Sequence, residues 1–111
     1  MHITKTYFMV PVHDMDRALR FYRDVIGLEL GFQTPYWTEL SWRDATVALH
    51  LGGGAPERES WLGFNVDDLD AAAVEIEAGG GTTGQERTEG GSRLLAVTDT
   101  EGNALTIGAQ L

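Results

Sequence analysis

Apolar residues alternate with others at Phe8, Val10 and Val12, and again at Leu62, Phe64 and Val66. That period of two marks a strand with one buried face. An aspartate follows each run, Asp14 or Asp68, placed to accept hydrogen bonds from the open amides of a helix's first turn. In the first helix Ala18, Leu19, Tyr22, Val25 and Ile26 form an i, i+3, i+4 stripe, and Gly27 can take the left-handed conformation that ends it. The second helix copies this more weakly, with Leu69, Ala72, Ala73 and Ile76 ahead of Gly79-Gly80-Gly81. Three shorter strands are predicted beyond each helix. They lie near Glu29–Gln33, Trp37–Trp42 and Thr46–Leu51, then near Gly84–Thr88, Arg93–Thr98 and Ala104–Ala109.

The two halves repeat one another. A shift of 54 positions lays Val12 to Ala18 on Val66 to Ala72 and Gly27 on Gly81, and a shift of 56 lays Val47 to Gly52 on Asn103 to Gly108. Asp99-Thr100-Glu101-Gly102-Asn103 reads as the turn before the final strand, with Gly102 free to adopt positive φ. The expectation is a single α+β domain built from half-repeats of about 1–54 and 55–111.

Length and charge narrow the function classes. A chain of 111 residues suits one domain, and 42% hydrophobic residues suffice for a core. A net charge of −9 with only 8 Lys and Arg argues against nucleic acid, whose phosphates need clustered cations. No apolar run approaches a membrane span, and Met1-His2-Ile3-Thr4-Lys5 lacks the apolar region of a signal peptide, so the expected location is the cytoplasm. With no cysteine, thiolate and disulfide chemistry are excluded. The glycine runs 52–54 and 79–81 lack the context of a phosphate loop and read as turns or caps.

A twofold βαβββ unit with Val12-x-Asp14, a helix carrying Phe21 and Tyr22, then Gly27-Leu28, and Asp99-x-x-Gly102-Asn103 before the last strand resembles the vicinal oxygen chelate superfamily over the whole chain. The resemblance implies curved mixed sheets around a cleft, the glyoxalase/bleomycin-resistance-like fold. It leaves the reaction open, since such folds host lyases, dioxygenases, epimerases, transferases and sequestering proteins. In metal-using members the first and last strands of each half supply His or Glu ligands. Those positions fall on Tyr7, His50, Trp61 and Thr106 in this chain, which leaves one imidazole where three or four N or O ligands are required. No metal and no other cofactor is expected.

Strand alternation puts Tyr7 with Lys5 and Met9, Trp61 with Gly63 and Asn65, and Trp37 with Glu39 and Ser41, on faces opposite the helix-packing residues. The expected ligand contacts are therefore Tyr7, Trp37, His50, Trp61 and Thr106, since rings with a polar edge suit a flat aromatic or cationic small molecule. Each ring alone could equally plug a core. The leading expectation is a metal-independent binding protein of the bleomycin-resistance type. The alternative is a glyoxalase-like lyase or isomerase with His50 and Glu39 as acid and base, or with a divalent metal on ligands other than those aligned above. A lone strand histidine is more often structural. Lys5 and Arg93 read as solvated surface charges. A homodimer is expected, because short sheets leave edges to cover.

Overall fold

In the computed structural model residues 2–5, 7–52 and 62–111 are described. The chain forms two compact units, Met1–Gly54 and Ala55–Leu111, each a mixed four-stranded sheet with a helix. The first unit runs β1 (Phe8–Val12), α1 (Met15–Arg20, continued by a π-wound turn over Phe21–Ile26), β2 (Glu29–Gln33), β3 (Trp37–Trp42) and β4 (Ala45–Leu51). Its strand order is β1-β4-β3-β2, with β1 parallel to β4 and the other pairs antiparallel. The second runs β5 (Gly63–Asn65), α2 (Leu69–Ala78), β6 (Thr82–Glu89), β7 (Ser92–Thr98) and β8 (Ala104–Gln110), in the order β5-β8-β7-β6.

The duplication reaches atomic detail. Asp14 and Asp68 cap their helices with the same extended backbone, φ −130° in both, and accept from Arg17 N at 3.1 Å and Ala71 N at 3.0 Å. Gly27 ends the first helical segment at φ +96°, as the stripe implies. The residues before it depart from a regular α-helix: both Gly27 N and Leu28 N donate to Tyr22 O, the wider turn of a π-helix. Widening narrows the angle between neighbours, so Phe21, outside the expected stripe, is buried beside Tyr22. Their rings meet edge to face at 5.3 Å. Val25 and Ile26, which the stripe assigns to the core, are only half-buried.

In the first unit Val10, Val12, Leu40, Val47 and Leu49 bury one sheet face, and α1, lying against β3 and β4, buries Met15, Ala18 and Leu19. Leu95, Val97, Leu105 and Ile107 form the corresponding layer of the second unit, where α2 buries Leu69 and Ile76. Each large aliphatic side chain so buried contributes about 1.5 to 3 kcal/mol. The β7–β8 turn is organised by Asp99, a buried carboxylate accepting from Glu101 N and Asn103 N, both at 2.8 Å, and from Asn103 Nδ2 at 3.1 Å. Gly102 supplies the φ of +85° that the turn needs.

Two substitutions probe these layers in opposite directions. Thr38 is fully buried, and its Oγ1 has no hydrogen-bond partner among the described residues. An unpaired buried hydroxyl costs free energy, so Thr38→Val should raise the urea midpoint by the equivalent of about 1 kcal/mol with an unchanged slope. Asp99→Ala strands three donors and should lower stability by about 2 to 3 kcal/mol. A lower midpoint for Thr38→Val would mean that the hydroxyl is paired in solution.

Candidate functional site

The face of the first sheet turned away from α1 gathers most of the sequence-predicted site. Trp37 stands opposite His50 across β3 and β4, and Glu39 opposite Ala48, so all three point to the side opposite Leu40, Val47 and Leu49. Tyr7 precedes β1 and sets its ring edge-on to Trp37, with centroids 5.4 Å apart at 89°. The His50 ring meets the other side of the cluster, 5.8 Å from the Trp37 centroid at 64°. Tyr7 is 47% exposed, so these rings do not simply plug a core.

Glu39 lies at the centre of this face with its side chain only 12% exposed. Lys5 Nζ donates to Oε1 in a charge-assisted hydrogen bond, and Trp37 Nε1 donates to Oε2 at 2.7 Å. The Lys5 bond, followed by the Trp37 bond, holds the carboxyl below the usual glutamate range, outweighing the opposing effect of burial. Lys5 also lies over the Phe32 ring, 5.7 Å from its centroid, a cation–π distance.

Phe32 is the member of this cluster that sequence reasoning missed. Simple alternation from Leu30, which pairs with Leu40 on the helix side, would keep Phe32 on that side. A β-bulge between Leu30 and Phe32 inserts one residue and brings Phe32 opposite Glu39. Gly31 sits in the bulge, where a Cβ would lie 3.1 Å from the Glu39 carbonyl oxygen, and this glycine was the available signal.

Other expectations change. Lys5 and Arg93 are paired rather than simply solvated: Arg93 donates to Glu86 at 2.8 and 2.9 Å and to Asp70 of α2 at 2.9 Å. Thr106 lies in the second unit, on the sheet face opposite Leu105 and Ile107. The offsets of the repeat would set Asn65 against it, yet Gly63 is its partner. That register shift of two residues preserves the facing direction. Trp61 lies outside the described residues. Elsewhere in the first unit a wide-mouthed recess of about 560 Å³, unforeseen from the sequence, opens beside Asp16, Gln33, Thr34 and Leu51.

Residues 6–107 match the family model of the Glyoxalase/Bleomycin resistance protein/Dioxygenase superfamily. The chain belongs to this superfamily. It is 30% identical to a lactoylglutathione lyase of Haemophilus influenzae, over 85% of this chain and 83% of that protein. Among solved structures it is similar to an antibiotic binding protein from Streptomyces sp. CB03234, with TM-score 0.73 and 21% identity over 99% of this chain and 100% of that one. It is also similar to a fosfomycin resistance protein from Listeria monocytogenes complexed with Mn(II) and sulfate ion, with TM-score 0.81 and 14% identity over 100% and 93% of the two chains. The fold is thus the superfamily's α+β fold.

A divalent metal of the kind superfamily members use does not suit the donors described. On the ring-lined face His50 offers one imidazole, while each oxygen of Glu39 already accepts a hydrogen bond and an ammonium stands beside it. Thr106 offers only a hydroxyl. No group of three or more His, Cys, Asp or Glu able to hold a metal occurs among the described residues.

The Glu39 linkage is testable by acidification. A lowered carboxyl pKa means the stabilisation is fully present above the ordinary glutamate value of 4.5 and is lost as pH falls through the lower folded value. The Trp37 indole N–H resonance should therefore titrate with a midpoint below 4.5, and Glu39→Gln should abolish that titration. A midpoint at or above the ordinary value would refute the arrangement.

Proposed function

We propose that this chain is a metal-independent small-molecule binding protein of the glyoxalase/bleomycin-resistance type, taking a flat aromatic ligand on the ring-lined face of its first unit. The observation that carries this is the half-exposed Tyr7–Trp37 pair, held edge to face by a hydrogen bond from the Trp37 indole to a buried carboxylate. A ring fixed in orientation loses little entropy on binding, and stacking on it supplies affinity without a metal. Lys5 takes up the Glu39 charge, which favours the aromatic over the cationic ligand among the two classes expected from sequence.

The alternative is a glyoxalase-like lyase or isomerase, favoured by the 30% identity to a lactoylglutathione lyase. Under that reading His50 is the acid or base. Glu39, its carboxyl held ionised by two donors, suits positioning of Trp37 and Lys5 better than proton transfer, which works best with a pKa near the operating pH. Self-association as a homodimer and a cytoplasmic location complete the proposal. Support for the dimer comes from β2, an edge strand whose five residues are all exposed, Leu30 and Phe32 included. Light scattering returning the mass of one chain at micromolar concentration would exclude it.

A screen of planar aromatic metabolites against extensively dialysed protein tests the main reading. A ligand should bind to protein whose elemental analysis shows no stoichiometric Zn, Ni, Fe or Mn, and Trp37→Ala should weaken it by about 1 to 3 kcal/mol. Trp61→Ala and Thr106→Val measure whether those residues also touch it. Turnover that vanishes in His50→Ala while binding survives would establish the enzyme instead. Unchanged affinity in Trp37→Ala would place the site elsewhere.

A further inference from the structure

The ring-lined face is unequal in donors and acceptors. Its one carboxylate is nearly buried, and both oxygens are already engaged by Lys5 and Trp37. What faces outward is an ammonium, which can only donate, together with the Tyr7 hydroxyl and the His50 imidazole, each able to donate or accept. The Lys5 side chain is 47% exposed, and an ammonium has three N–H groups, of which Glu39 takes one among the described residues. Neither the Tyr7 hydroxyl nor the His50 ring nitrogens have a hydrogen-bond partner among the described residues, and both side chains are exposed. The Lys5 ammonium is held in place from two directions, by Glu39 beneath it and by the Phe32 ring at 5.7 Å.

Resting on the binding reading above, we infer that the ligand is a planar aromatic anion, such as an aromatic carboxylate or phenolate, and that Lys5 is the residue that selects its charge. The ring system stacks on Trp37 or Tyr7, and its anionic oxygen takes the free N–H groups of Lys5, with Tyr7 and His50 as further donors. A cationic ligand would meet the ammonium before the screened carboxylate. The chain's net charge of −9 does not reverse this, because charges beyond about 8 Å are largely screened at physiological salt, whereas a direct charge-assisted contact is not.

Three probes of one shape separate the possibilities: 2-naphthoate, 2-naphthamide and 2-naphthylmethylammonium, titrated at pH 7.5 with NMR shifts of the Trp37 indole N–H as the readout. Naphthoate should bind about tenfold or more tighter than the ammonium, with the amide between them. Lys5→Met should collapse that ratio to near unity while the amide still binds, and Lys5→Arg should preserve it. Because Lys5→Met leaves Glu39 uncompensated, the double variant Lys5→Met/Glu39→Gln guards against misfolding and should show the same collapse. Equal or tighter binding of the ammonium to the unaltered protein, or a ratio unchanged in the double variant, overturns the charge assignment and leaves the ring-stacking site standing. Binding of none of the three at millimolar concentration removes the site itself.

Discussion

A carboxylate placed at the middle of a sheet face must find partners or stay protonated, and Glu39 finds two. One is the indole of Trp37, two residues earlier on the same strand and therefore on the same face. The other is the ammonium of Lys5, brought from the segment preceding β1. Those two bonds set the geometry around them. The indole cannot turn without losing its acceptor, so its ring presents one edge contact to Tyr7 and another to His50. The ammonium cannot leave without stranding a nearly buried charge, a loss costlier than the net value of the pair. Glu39, a candidate general base by sequence, thus also fixes the aromatic cluster around it.

Duplication supplies the scaffold, and divergence supplies the chemistry. Both units share strand order, capping aspartates and a bulge in the edge strand, between Leu30 and Phe32 in one and between Thr83 and Glu86 in the other. Their outward faces differ. Trp37, Glu39 and His50 occupy the first, whereas the second carries Gly63, Asn65, Leu94, Ala96, Thr106 and Gly108 in its paired registers. Arg93 of the second unit is engaged on the helix side, tying β7 to Glu86 and to Asp70 of α2.

The superfamily's architecture serves both binders and catalysts, so the decision between them rests on donors rather than topology. A metal centre needs several unprotonated, uncommitted ligands converging on one point. Here the carboxylate is committed to hydrogen bonds and the imidazole packs against an indole. Beside them stand the Lys5 ammonium, the Tyr7 hydroxyl and the His50 imidazole, the groups on which the proposed recognition of an anion rests.

Local periods made much of this legible in the sequence. The boundaries of β2 and β3, the helix-capping aspartates, the left-handed Gly27 and Gly102, and the shared face of Trp37 and Glu39 follow from patterns a few residues long. So was the repeat, because the strand patterns and capping aspartates recur at offsets of 54 to 56 residues. What the tertiary structure decided is pairing across distance. Lys5 and Glu39 are 34 residues apart, and no local pattern says which cation will reach a carboxylate. The bulge at Gly31 reverses the face of Phe32, the π-wound turn buries Phe21, and β5 meets β8 two residues from where the repeat would set it. Each depends on hydrogen bonds between strands or successive turns, whose register is chosen by how the whole layer packs and not by the residue's own preference.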